Sequence, residues 1–255
     1  MNKKIKRIIS LLLVAVMALS FCACGEIEEE VVKRASAVPQ TKAEIFDYFC
    51  KALDKVVEEK PAVSYGLSND AGSADCENSN IEAAFPTIAK LMTVGDGAET
   101  AYGEDCSAIF PNNKLELNDI KSANIIDIDD TTSRSYTIVM TIWDENNPNQ
   151  DDSVFGKIYK ISKDEDILAE MKKASAYFTV ESYDAEYQIG TIRAVISKET
   201  DRLESLQLER NVEVSTEITG QNTFAEVGTV PLSFNYSSTE SYDINWDDPN
   251  ATKAE

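Results

Sequence analysis

The chain of 255 residues contains no histidine, 45 aspartates and glutamates, and five cysteines, at positions 22, 24, 50, 76 and 106. Without imidazole there is no ordinary proton shuttle near neutral pH and no commonest zinc ligand, so Ser-His-Asp, Cys-His and HExxH chemistries are excluded. Neither GxGxxG nor GxxxxGK[ST] occurs, which leaves dinucleotide and P-loop chemistry without support. Paired carboxylates keep glycoside hydrolysis formally open. An acid-rich chain offers such pairs by chance, however, and glycosidase domains are usually larger, so the expectation is a protein that is not an enzyme and carries no cofactor.

Two acidic runs have oxygen ligands suited to a hard cation: Asp127, Asp129 and Asp130, and then Asp144, Glu145, Asn147, Asn149, Asp151 and Asp152. Neither fits the twelve-residue loop with glycine at position six and glutamate at twelve. Both read as solvated loops, and no metal site is predicted. The formal net charge is −21, a surface that repels phosphate backbones and anionic headgroups. Nucleic-acid binding is therefore not expected, and a basic patch cannot provide membrane attachment.

The N-terminal residues explain membrane attachment differently. Lys3, Lys4, Lys6 and Arg7 precede a 14-residue apolar run from Ile8 to Phe21, interrupted only by Ser10 and Ser20. That length suits an export signal and is short for a spanning helix. The run ends in Phe21-Cys22-Ala23-Cys24-Gly25, which resembles the lipobox of bacterial lipoproteins. There, a small residue precedes the cysteine that receives a diacylglyceryl group before cleavage. Cys24 has Ala23 before it, whereas Cys22 has bulky Phe21, so the resemblance implies Cys24 as the acylated residue. Phe21, where such boxes usually carry leucine, departs from the pattern. The expected organisation is a signal peptide over 1–23, an acidic tether over 24–40, one domain over 41–236 and a disordered tail over 237–255. Loss of the leader's four cations would take the net charge from −21 to −25. The setting implied is the extracytoplasmic face of a cell membrane.

Hydrophobic period supplies the elements of the domain. Thr41-Lys42-Ala43-Glu44 fits a capping box, and Phe46, Phe49, Cys50, Leu53 and Val57 follow at helical spacing before Pro61. Pro61 to Ser68 reads as a short extended stretch, with the chain turning at residues 69–73. A second capping box at Ser79 opens a stripe of Ile81, Ala84, Phe85, Ile88, Leu91 and Met92, interrupted by Pro86. Residues 93–113 look like loop, and a short third helix is predicted over 164–173.

From 115 onward the period becomes two. Residues 122–127 are strand-like, and 134–143 alternate, with Tyr136, Ile138, Met140 and Ile142 on one face. Strands follow at 177–183, 186–197, 203–218 and 223–236, with Glu199 to Arg202 turning one pair. Sequential strands joined this way imply an antiparallel sheet. The fold class expected is α+β: a curved, half-barrel-like antiparallel sheet covered on one face by two or three helices.

This order, AEIFDYFCKALDKV, then LELNDIKSANIIDIDD into YTIVMTIWDEN, and later IGTIRAVISKETDRLESLQL, resembles a family of surface lipoproteins from clostridia-like Gram-positive bacteria. The likeness implies fold and location and brings no activity with it. The layout is also similar, at the level of fold alone, to half-barrels that carry lipids or lipoproteins.

Three sites are worth placing. Phe46, Phe49, Phe85, Met92, Tyr136, Ile138, Met140, Phe178 and Phe234 could line an apolar pocket between helix and sheet, or simply fill the core. Cys76 and Cys106, read as lying in polar loops, could form a disulfide; the alternative is three free thiols with Cys50. Trp143, Tyr242 and Trp246 could stack on a sugar, against the plainer reading that Trp143 packs on a helix or on the second sheet face. The function expected is binding of an apolar ligand or an envelope partner by an anchored domain, with a structural or adhesive module as the alternative.

Overall fold

The computed structural model describes residues 38–79, 81–82, 96–126, 132–161 and 177–247. The leader, most of the tether, Phe85, Met92, Asp127, Asp129, Asp130 and the helix expected over 164–173 lie outside those residues. Helix α1 (Lys42–Glu59) is followed by β1 (Ala62–Cys76), β2 (Asp96–Thr100), β3 (Ile120–Ile125), β4 (Ser135–Ile142), β5 (Glu145–Asn146), β6 (Phe178–Ser197), β7 (Leu203–Gly220) and β8 (Thr229–Asn245). They form an antiparallel sheet in the order β2-β1-β8-β7-β6-β4-β3, with β5 also pairing with β6.

Helix α1 starts where the capping box predicts. The Glu44 amide donates to Thr41 Oγ1 at 3.2 Å and the Thr41 amide to Glu44 Oε2 at 2.9 Å. It stops at Lys60, which turns left-handed (φ 52°) and donates its amide to the Val56 carbonyl. Pro61 prevents continuation. Its apolar stripe buries Ile45, Phe49, Ala52, Leu53 and Val56 in one cluster with Ile138, Met140, Ile192, Leu206 and Leu208 of the sheet. Each large side chain so buried contributes ~1.5–3 kcal/mol, well beyond what an isolated helix of this length could supply. Polar contacts fix its orientation on the β6–β7 turn. Tyr48 donates to Asp201 Oδ1 at 2.7 Å, Lys55 reaches the carbonyls of Thr200 and Asp201, and Arg202 pairs with Glu59.

Four expectations need correction. The turn predicted at 69–73 is instead a bulge inside β1, whose register against β8 shifts between Ala71 and Ala74. Gly72 permits it, because a Cβ there would lie 2.0 Å from Asn235 Oδ1. Turn-forming residues thus serve to bend a long strand. Likewise, the two strands predicted over 177–197 are a single one, β6, with register shifts at 180–183, 188–191 and 195–196. β2 occupies part of the stretch read as loop.

The fourth correction concerns the C-terminus. Residues 237–245, expected as disordered tail, are the second half of β8, a strand paired on both sides. Tyr236, Ser238, Glu240, Tyr242 and Ile244 alternate toward the core, and Trp246 donates its indole N–H to the Leu203 carbonyl at 2.6 Å. A chain ending at Tyr236 would leave β1 and the first residues of β7 without their shared neighbour. It is expected to show no cooperative thermal transition by circular dichroism, where the chain through residue 247 shows one.

Candidate functional site

The apolar set chosen from the sequence divides. Phe49, Ile138 and Met140 have no exposed surface and belong to the core, with Phe46 and Tyr136 half-buried at its rim. Phe178 and Phe234 are buried further along the sheet, opposite Gly220 and Val214 of β7, whereas the Ile138 row meets β7 at Leu206 through Ala194. The described members therefore do not surround one common pocket.

The cysteines also differ from expectation. Cys50, Cys76 and Cys106 are free thiols, so the Cys76–Cys106 bridge is not formed. Cys76 is the inward-facing last residue of β1, and Cys106 is buried beneath a turn closed by the Ile109 and Phe110 amides on its carbonyl. Burial pushes the Cys50 thiol up to about 11 despite a hydrogen bond from Asn113. Cys106 is raised for the same reason.

Several oxygens of the acidic loop at 144–152 are spent on backbone amides. Glu145 accepts from the Val154 and Phe155 amides at 2.9 and 2.8 Å, Asn149 Oδ1 from those of Asp151 and Asp152, and Asn147 Oδ1 from that of Ala185. Among the described residues no three carboxylates or thiols are grouped to hold a metal ion. The loop continues into Phe155, Ile158 and Tyr159, all buried.

Where this loop lands on the sheet lies a charged pair that the sequence reading passed over. Arg210 of β7 and Glu240 of β8 form an ion pair at 2.8 Å, with Glu240 wholly buried. Glu240 also accepts from the Lys160 amide at 3.0 Å and the Tyr242 hydroxyl at 2.8 Å, while Arg210 donates to the Lys160 carbonyl at 3.1 Å. The Tyr159 hydroxyl bonds the carbonyls of Thr191 and Glu209, and its ring lies 5.3 Å from the guanidinium carbon. Burial works against the Arg210 charge, and the Glu240 carboxylate more than offsets it, holding the guanidinium above its ordinary value. Burial and the same carboxylate push the Tyr242 phenol up. The signal was legible: Arg210 interrupts the inward alternation of Leu206, Leu208, Val212 and Val214.

Of the three aromatic residues considered for sugar stacking, Tyr242 is buried beside Tyr65 and Phe110, and Trp246 is half-buried under Arg202. Trp143 is half exposed. Its indole N–H is bonded to the Asn118 carbonyl.

A cleft of about 760 Å³ opens at the end of the β2-β1-β8 edge. Its lining includes Ser64, Thr100 and Asn245 together with four carboxylates, Glu99, Glu104, Glu204 and Asp243, and no lysine or arginine. Three of the acids have internal partners: Glu99 accepts from Ser64, Glu104 from the Ala101 amide and Glu204 from Ser135. Ser64 and Glu99 face each other across β1 and β2, and Ser64 faces Asp243 across β1 and β8. The walls are therefore fixed by sheet register, and negative charge held this way favours a cationic group in the cleft.

Glu240→Leu would strand Arg210 in the core and is expected to cost about 3–5 kcal/mol in urea unfolding. An unfolded sample of a chain carrying only Cys50, Cys76 and Cys106 is expected to give Ellman's reagent three thiols without reductant; one thiol would establish a bridge. Comparison of the chain with protein-family models, curated proteins and solved structures finds no match.

Proposed function

We propose that the chain is an exported lipoprotein, acylated at Cys24 and held at the extracytoplasmic face of a membrane, whose domain acts by binding and not by catalysis. A curved, half-barrel-like sheet sheltered by further helices is part of the same proposal. The carrying observation is the cleft. It is an accessible recess lined by four carboxylates, three of them placed by β2, β7 and β8 and the fourth, Glu104, by the turn after β2. Its chemistry fits a cationic group of an envelope partner or a small polycation. An apolar ligand between helix and sheet has less support, because Phe49, Ile138 and Met140 are buried in the core cluster and Phe178 and Phe234 lie elsewhere.

The test is calorimetric titration of the mature protein, purified from a host that processes lipoproteins, with spermine as the probe. Intact mass of the same preparation is expected to show a diacylglyceryl group on a chain beginning at Cys24. Glu99→Gln with Asp243→Asn is expected to weaken spermine binding more than the equal charge loss of Glu213→Gln with Glu217→Gln, two exposed acids of β7. Equal losses would mean diffuse attraction by net charge and would sink the cleft reading. An unacylated mass would sink the anchor.

A further inference from the structure

Trp143, Ile189 and Leu117 are 50 %, 59 % and 36 % exposed, and the hydrogen bonds around them make one ledge. Trp143 follows the last residue of β4, and its indole N–H donates at 3.1 Å to the Asn118 carbonyl, in the 3-10 turn that carries Leu117. Asp144, the next residue, accepts the Ile189 amide at 3.0 Å. The indole N–H of Trp143 and the backbone amide of Ile189 are therefore both satisfied within the chain.

Ile189 is held there against its own preference. Its φ is 52°, a left-handed conformation that is an outlier for a β-branched residue. The bulge is imposed by Gly190, where a Cβ would lie 2.5 Å from Ile142 Cγ1, so the backbone must approach the core and its neighbour must turn outward. Glycine or asparagine would occupy position 189 with less strain. An exposed isoleucine gains nothing from the folded chain that would repay it.

The position of the ledge suggests what covers it. The Lys42 ammonium, one residue after the helix cap at Thr41, reaches the Ile120 carbonyl at 2.8 Å, two residues beyond Asn118. The chain thus enters the domain beside the ledge, arriving from the segment that contains Cys24. Lys121 pairs with Asp144 at 3.8 Å and lies 5.5 Å from the Trp143 ring centre, and Lys157 pairs with Asp119 at 2.8 Å, with Glu116 and Glu145 also close to it. Tryptophan with an adjacent lysine is the composition favoured at a bilayer interface, where the ring sits at headgroup level and the ammonium stays wet. The remaining acidic surface is screened beyond a Debye length of about 8 Å at physiological salt. A tether that keeps the domain at the membrane raises the effective concentration enough for a small apolar patch to engage.

We infer that Trp143, Ile189 and Leu117 form a membrane-contact ledge that seats the domain on the interfacial layer of the bilayer to which it is anchored. The inference rests on the lipid-anchor reading. The test uses the full acylated protein reconstituted in phosphatidylcholine vesicles brominated on the acyl chains. Trp143 emission is expected to be quenched, and the quenching lost in Trp143→Ala, where only half-buried Trp246 still emits. Ile189→Asn is expected to lower the quenched fraction while leaving the melting temperature unchanged or raised, which an unfolded variant would not do. Intact mass of each sample separates the two failures. Acylated protein without quenching overturns the ledge and leaves the anchor standing, whereas unacylated protein removes the anchor and the ledge with it.

Discussion

The ion pair between Arg210 and Glu240 is the constraint around which the described domain is arranged. A carboxylate with no exposed surface in a strand paired on both sides is tolerable only if its charge is matched and its oxygens are bonded. Arg210, the Lys160 amide and the Tyr242 hydroxyl do this together. Because Lys160 contributes both its amide and its carbonyl, the same bonds fasten the long connection after β5 onto the sheet. Tyr159 and Phe155 then fill the core beside it. Removing either charge would therefore loosen a loop as well as a strand.

Register gives this arrangement its precision. Leu208 faces Glu240 and Arg210 faces Ser238 across β7 and β8. A slip by one residue would turn Leu206, Leu208 and Val212 outward and bring Glu209, Glu213 and Glu217 into the core. The bulges adjust the strands locally without disturbing that pairing. Gly72 lets β1 bend against an unbroken β8, and Gly190 lets β6 approach Ile142 at the expense of a strained Ile189. Of the cleft acids, Glu99 lies on β2, Asp243 on β8 and Glu204 on β7, whereas Trp143 follows β4 and Ile189 lies on β6, so the proposed cation site and the proposed bilayer contact draw on different strands. Neither proposed surface needs the core to open.

Much of the architecture was legible in the residues themselves. The capping box of α1, the alternation of β4, the turn at 199–202 and the antiparallel pairing all follow from local period and turn chemistry, whereas the stripe read on α1 was rotated: Phe49 and Leu53 are buried with Ile45, Ala52 and Val56, and Val57 is exposed. The absence of histidine excluded imidazole catalysis without any structure. The proposed lipid anchor at Cys24 likewise rests on covalent sequence alone. What failed was the use of polar residues as markers of loops and ends. Asn69 to Ser73, read as a turn, sit in a bulged strand, and Ser237 to Asn245, read as a frayed tail, lie in the interior of the sheet.

The physical reason is that period-two alternation reports burial only while inward positions stay apolar. Ser238 and Glu240 break that pattern, and their burial depends on Arg210, thirty residues from Glu240 in the chain, and on the loop that ends at Lys160. No local window contains all three. The sequence by itself therefore determined the helix, the strand character, the excluded chemistries and the expected route to the membrane. Only the tertiary structure decided that the first and last strands meet, that three cysteines stay apart, which acids line a common cleft and which of Trp143, Tyr242 and Trp246 stays exposed. Each of those depends on partners distant in the chain, and their desolvation energies exist only once the sheet has brought them together.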